Sequence, residues 1–288
     1  MEPNPVPWAL PNHVYIIAEI GINHNGSLDL AKDLIREAHS AGCDAVKFQK
    51  RNPDVCVGDA QKGVLRETPW GTMTYLDYKR RIEFGRRQYD EIDSFCRQLG
   101  IAWSASAWDM DSQEFLSSYE RPFNKVASAM LTDLDFLRMV AAEGLFTYVS
   151  TGMSTLDEIS SAVEIFSSHE TPFELMHSVS TYPAESEHLN LATIITLREL
   201  FQVSVGYSGH EASVSPSIVA VAFGASSIER HITLDRSMWG TDQSASLEPA
   251  GLRQLVGAIR KLPVEVGDGQ KRFLDEEKSV AAKLRRSP

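Results

Sequence analysis

"VYIIAEIGINHNGSLDLAKDLIREAHSAGCDAVKFQK" (14–50) holds the whole repeating unit of the fold. Its first seven residues are β-rich and, Glu19 apart, apolar. Ser27 then stands where a helix would be capped, and Ala31, Leu34, Ile35 and Ala38 recur at helical spacing. Gly42 stands where that helix should stop, and "AVKFQK" (45–50) opens a second strand. Strand, amphipathic helix, strand is the pattern of a parallel pair joined by a crossover.

The pattern continues. Further β-rich runs are "IAWSAS" (101–106), "FNKVAS" (123–128), "FTYVST" (146–151), "FELMHS" (173–178), "VSVGYS" (203–208) and "SSIERHI" (226–232). Ile159, Ala162, Val163 and Phe166 repeat the helical spacing after "TLDE" (155–158), which fits a capping box, and Gly100 is another stop signal. Eight strand–helix units within 288 residues predict an α/β fold, a closed (β/α)₈ TIM barrel spanning 14–270, with an open doubly wound sheet as the alternative. Residues 1–13 read as a polar lead-in and 271–288 as a charged, helix-prone, solvated tail. The 51–85 connection is far longer than an ordinary βα loop. Its Trp70, Tyr75 and Tyr78 argue against disorder and for a lid on the substrate side.

A 43% hydrophobic, 23% charged composition is that of a globular chain, and a net charge of −11 argues against a nucleic-acid partner. Cys43, Cys56 and Cys96 are too few and too irregularly spaced for a disulfide framework or a zinc knuckle, so a reducing cytoplasm is expected. The apolar run at 14–18 is too short for a membrane span and is followed by Glu19.

In a barrel the functional site lies where the βα loops converge, at the C-terminal strand ends. Those ends carry Glu19; Lys47 and Gln49; Ser106; Lys125 and Ser128; Ser150 and Thr151; His177 to Ser180 with Tyr182; Ser208 and His210; Glu229 and His231. Lys125, within "NKVASAM" (124–130), needs a counter-charge, because an unpaired buried ammonium costs several kcal/mol or gives up its proton. Glu19 or a ligand anion would supply it. Two lysines and several hydroxyls at one mouth suit a phosphorylated or carboxylated small molecule. Two neutral imidazoles, His210 and His231, can hold a divalent metal, and Asp242 could act beside them as a base. Spacing alone leaves a metal-assisted enzyme on an anionic substrate, with structural ion pairs and ordinary hydrogen-bonded histidines as the plainer readings.

The stretch at 16–50, "STGMSTLDEI" (150–159), "VGYSGHE" (205–211), "SIERHITLDRSMWGTDQSASLEP" (227–249) and "VGDGQKR" (266–272) together resemble the catalytic barrel of the sialic acid synthase family. The resemblance runs from about residue 14 to residue 286. It implies condensation of phosphoenolpyruvate with an N-acylated hexose, giving a nine-carbon 2-keto-3-deoxy acid and phosphate. It implies that His210 and His231 hold Mn2+ or Mg2+. It further implies that Lys47, Gln49, Ser106, Lys125, Ser128, Ser150, Ser180 and Ser208 line the phosphoenolpyruvate site. Glu19, Tyr182 and Asp242 would face the sugar or the attacking water.

The chain departs from the family pattern in four places. Met130 stands where a glutamate is usual, Ser180 where an asparagine is common, and "SAWD" (106–109) replaces "TPF". Many members also continue into an antifreeze-like domain that reaches across a homodimer; here the sequence stops at Pro288. The short form leaves open a homodimer, a separate antifreeze-like protein acting in trans, or greater reliance on the Trp70–Arg81 lid with an acceptor lacking the acyl group. The competing readings are a phosphoenolpyruvate aldolase making a shorter keto acid of the KDO or KDN type, for which "YKRRIEFGRR" (78–87) could hold an acceptor phosphate, and a non-catalytic ligand-binding barrel.

Overall fold

Eight parallel strands close on one another in chain order in the computed structural model, which describes Pro11 and residues 13–286. They are β1 (Tyr15–Gly21), β2 (Ala45–Lys50), β3 (Ala102–Ala107), β4 (Asn124–Val126), β5 (Thr147–Ser150), β6 (Phe173–Ser178), β7 (Val205–Gly209) and β8 (Ser227–His231). Strand β8 pairs with β1, so the sheet has no edge and the open-sheet alternative is excluded. The 1–13 lead-in falls almost wholly outside the described residues.

The caps read from sequence form as expected. Ser27 accepts a hydrogen bond from the Leu30 amide at the start of helix Leu28–Ala41, and Gly42 ends that helix in the left-handed region at φ 86°. The helix buries Ala31, Leu34, Ile35 and Ala38. Each fully buried leucine or isoleucine there contributes about 1.5–3 kcal/mol relative to exposure. Thr155 and Glu158 form the capping box of helix Leu156–Ser168, which buries Ile165 in addition to Ile159, Ala162 and Phe166, while Val163 is only half-buried.

Side-chain parity then sorts the strands into two cores. Val46 and Phe48 of β2, and Ile16, Ala18 and Ile20 of β1, face outward and meet the helices. Ile17, Ala45, Phe123, Tyr148 and Met176 face inward and fill the lower barrel. Because side chains alternate along a strand, two residues onward from each of these is again inside.

The 51–85 connection is an ordered unit. Two short helices, Pro53–Cys56 and Asp59–Lys62, precede an antiparallel ribbon pairing Leu65–Arg66 with Met73–Thr74, and helix Tyr75–Ile82 completes it. Its apolar face, Tyr78 and Ile82, packs on Ile22, and Tyr78 meets Trp239 edge-on with ring centroids 5.1 Å apart. Helix Lys278–Leu284 in the tail is solvated, as its charge pattern predicts. Among the described residues no helix is long and apolar enough to cross a membrane, and Cys43, Cys56 and Cys96 are all free.

Candidate active site

Above the apolar layer, the inward positions turn polar. Two residues beyond Ile17, Ala45, Phe123, Tyr148 and Met176 lie Glu19, Lys47, Lys125, Ser150 and Ser178, and all five line one cavity of about 170 Å³ at the C-terminal mouth. Gln49, Ser106, Ser128, Ser180, Tyr182, Ser208, His210, Glu229 and His231 complete it with Trp108. Every residue that the family resemblance assigned a role except Asp242 lines this cavity, and Asp242 stands just outside, its Oδ2 4.0 Å from His231 Nδ1.

The two lysines are paired, but not as the sequence suggested. Lys47 Nζ lies 2.7 Å from Glu19 Oε2 and donates to Ser106 Oγ at 2.7 Å. The counter-charge for Lys125 is not Glu19 but Glu229, whose Oε2 accepts from Nζ at 2.8 Å; Glu229 Oε1 is 3.9 Å from Lys47. Strand register explains this: Glu19 sits level with Lys47 on adjacent strands, whereas Lys125 reaches across the barrel interior to β8. Glu229, read from sequence only as a polar strand end, is therefore the group that balances Lys125.

These four groups sum to zero charge when all are ionised. Burial, opposed by Lys47 and reinforced by Glu229, raises the Glu19 carboxyl above its usual range. Burial also opposes the Glu229 charge, yet Lys125 and Lys47 outweigh it and hold that carboxyl below its usual range. For Lys125, burial depresses the ammonium while Glu229 supports it. A proton on Glu19, toward which burial shifts that carboxyl, would tip the mouth toward positive charge within an acidic protein. That balance favours an anionic ligand.

Two glycines make the site's close approaches feasible. Gly21 has φ +55°, and a Cβ there would lie 3.2 Å from Gln49 Nε2, 3.2 Å from Glu19 Oε1 and 3.3 Å from His231 Cε1. At Gly152 a Cβ would collide with Ser180 Oγ and stand 2.8 Å from Ser128 Oγ. The Gly152 amide instead donates to Ser128 Oγ at 3.1 Å, and the missing side chain leaves room for Ser180 Oγ beside it. Gln49 donates to Glu19 Oε1 at 3.0 Å, and its own Oε1 is buried without a partner, an acceptor left for a ligand.

The histidines suit a divalent cation. His210 Nδ1 donates to the Val179 carbonyl at 2.7 Å, so Nε2 carries the lone pair, and burial, with His231 nearby, lowers its pKa to about 3. Tyr182 hydroxyl is 3.0 Å from that Nε2. His231 makes no side-chain hydrogen bond among the described residues, and its Nδ1 is buried without a partner. The rings lie 5.5 Å apart. His210 Nε2, approached so far only by the Tyr182 hydroxyl, and the unpartnered His231 Nδ1 are nitrogen donors of the kind that a borderline metal takes. Among the described residues no third histidine, cysteine or carboxylate joins them in a ligand cluster.

Other strand-end residues turn away. His177 has the opposite parity to Met176 and Ser178 and engages the Leu189 carbonyl at 2.7 Å, a structural role. Thr151 donates to the Met176 carbonyl at 3.1 Å. Ser178, read from sequence as a strand-end residue without a role, lines the cavity as its parity requires, and so does Trp108, which nothing in the residue pattern singles out.

The chain matches the family model described as the NeuB family over residues 34–271. N-acetylneuraminate-9-phosphate synthase of Homo sapiens is 36% identical over 291 residues, covering 100% of this chain and 81% of that protein. N,N'-diacetyllegionaminic acid synthase of Legionella pneumophila is 34% identical over 284 residues, covering 95% of this chain and 79% of that one. A crystal structure of N-acetylneuraminic acid (sialic acid) synthetase from Leptospira borgpetersenii, in complex with citrate, superposes with a TM-score of 0.83 at 31% identity, over 96% of this chain and 93% of that chain.

Proposed function

This chain belongs to the NeuB family of nonulosonic acid synthases, and from that premise we propose that it joins phosphoenolpyruvate to an N-acylmannosamine-type sugar, releasing phosphate. The observation that carries the reading is the joint presence of Lys47, Lys125 and a shell of serine hydroxyls beside His210 and His231 in one barrel mouth. The lysines with Gln49, Ser106, Ser128, Ser150, Ser180 and Ser208 bind phosphoenolpyruvate. Glu19, Tyr182 and Asp242 face the sugar aldehyde and the attacking water.

C3 of phosphoenolpyruvate attacks the aldehyde carbon and forms the new C–C bond. The aldehyde oxygen takes a proton, for which Glu19, with its raised carboxyl, is the donor. Positive charge develops at C2, where Glu229 is the nearby carboxylate that stays ionised. Water adds to C2 and returns a proton to Glu19, and phosphate then leaves by C–O cleavage, with Lys125 and Lys47 offsetting its charge. His210 and His231 would hold Mn2+ or Mg2+, which when bound supplies Lewis acidity toward the aldehyde oxygen.

The test is phosphate release from phosphoenolpyruvate with manganese across a panel of mannose and N-acylmannosamine sugars, with His231→Ala as control. Release with one class of sugar, lost in the variant, is expected. In 18O-labelled water the label should enter the C2 carbonyl of the product and not the phosphate. Release that ignores the sugar, or label in the phosphate, would overturn the mechanism.

A further inference from the structure

We propose that Arg230 and Glu211, buried side by side behind the barrel wall, are positioning residues that set the spacing of His210 and His231, and with it the strength with which that pair holds a divalent cation. This rests on the reading of the two histidines as cation ligands and adds what keeps them in place. Each member of the pair is the chain neighbour of one histidine. Arg230 precedes His231 on β8, where alternation turns one out of the barrel as it turns the other in, and Glu211 follows His210 just beyond β7.

The backbone ladder leaves the spacing open. Strands β7 and β8 pair from Tyr207–Ile228 to Gly209–Arg230, and the register ends there, one residue short of both histidines. Arg230 takes over the fastening beyond that point. Its guanidinium donates to the Ser213 carbonyl at 2.8 Å and to the Glu211 carbonyl, and lies 2.8 Å from Glu211 Oε1. One planar fork on β8 thus grips both the main chain and the carboxylate of the segment that carries His210. The Tyr207 hydroxyl holds Glu211 from the other side, donating to Oε2 at 2.8 Å. Gly209 makes this approach feasible, since a Cβ there would stand 2.6 Å from Glu211 Oε2 and 2.7 Å from Tyr207 Cε1.

Stability alone is a weak reason for such an arrangement. Arg230 and Glu211 are 1% and 2% exposed, and among the described residues Arg230 Nε is buried without a partner. Two ions taken this far out of water rarely recover the cost by mutual attraction, and an apolar pair of similar volume is often as stable. An apolar pair would lack the fixed, multi-point contact across the gap where the ladder has ended. The Val179 carbonyl orients the His210 ring but does not set its distance from β8. The fork ties the loop of one ligand to the strand of the other, and loss of supporting contacts around metal ligands costs about 10- to 100-fold in affinity.

Manganese binding to chelator-treated protein without substrates, read from the electron paramagnetic resonance signal of free Mn2+, tests this apart from turnover. Arg230→Lys keeps a charge beside Glu211 but not the fork, and should bind Mn2+ at least roughly tenfold more weakly while its circular dichroism stays that of the parent. Tyr207→Phe strands no ion and should weaken binding by about two- to tenfold. Arg121→Lys is the control: Arg121 is another buried arginine, 3.2 Å from Glu143, but it precedes β4 at the far end of the barrel, and its variant should bind Mn2+ as the parent does. Parental affinity in folded Arg230→Lys, or an equal loss in Arg121→Lys, would overturn the inference; should Arg230→Lys not fold, Tyr207→Phe decides in its place. If affinity falls as expected but no sugar releases phosphate, the condensation reading falls and the positioning role stands. If the parent binds Mn2+ and turns over sugar while Arg230→Lys matches it, the positioning role falls alone. A parent that binds no Mn2+ overturns this inference together with the reading of the histidines as ligands.

Discussion

Glu229→Gln isolates the charge balance of the barrel mouth, because it keeps the side chain's shape and removes its charge. With an effective dielectric of about 20, the 2.8 Å contact to Lys125 corresponds to about 6 kcal/mol and the 3.9 Å contact to Lys47 to about 4 kcal/mol. The observable loss is smaller, because a stranded lysine can discard its proton. Doing so at pH 7 costs about 4–5 kcal/mol against an unfolded-state pKa of about 10.4, which caps the contribution from Lys125. Broken buried pairs fall in the same range, about 3–5 kcal/mol. Chemical denaturation should therefore show Glu229→Gln less stable than the parent by about 3–5 kcal/mol.

The pH dependence gives the sign. Lys125 is already depressed by burial, and without Glu229 it folds as the free amine while the unfolded chain still binds the proton. Stability of the variant then rises with pH, by up to about 1.4 kcal/mol per unit, until the unfolded lysine also titrates. Adding Lys125→Met removes the stranded group and should recover most of the loss, since replacing both members of a buried pair is often neutral. A loss below about 1 kcal/mol in the single variant, or a double variant no more stable than it, would refute the assignment of Glu229 as the partner of Lys125.

Three further outcomes can be checked. Gly152→Ala should fold normally and yet lower kcat/KM for phosphoenolpyruvate by at least roughly tenfold, because its Cβ separates Ser128 from Ser180; an unaltered kcat/KM would refute this. Manganese should raise the melting temperature of the chelator-treated parent, and His210→Ala should not respond, a mass-action effect read without turnover. Lys79 is held down to about 8, by burial first and then Arg51, with Arg66 adding and Asp242 and Glu83 opposing. Its ammonium is lost as pH rises through that value while the unfolded chain still binds the proton, so stability to denaturant should rise between about pH 8 and 10, and less so in Lys79→Met.

Much of this was legible because a strand has a period of two and a barrel has one active face. Reading Lys47, Lys125, Ser106 and Ser208 at strand ends needs only the strand and its direction, and parity then places them inside. Parity also corrects His177, which a simple reading of strand ends gathered with the site. Partners were harder. Glu19 and Lys47 meet because adjacent strands align them, a local relation, but Lys125 meets Glu229 across the interior, which depends on barrel stagger and side-chain reach. No one-dimensional pattern carries that information. The lid was legible only as an ordered insertion; its ribbon and the docking of Tyr78 on Trp239 are tertiary.

Met130 shows how the same geometry alters the meaning of a departure from the family pattern. Strand β4 ends at Val126, and Ser128–Met130 form a 3-10 turn, so Ala127, Ser128 and Ala129 line the cavity while Met130 packs against the hydrophobic core. Its thioether fits that half-buried position, where a carboxylate would need a partner to offset lost hydration. The lining acidic groups are Glu19 and Glu229, one raised and one depressed, which is the division of labour that a proton donor and a stabilising anion require. The methionine thus leaves both carboxylates of the mouth in place, and the chemistry assigned to them does not depend on residue 130.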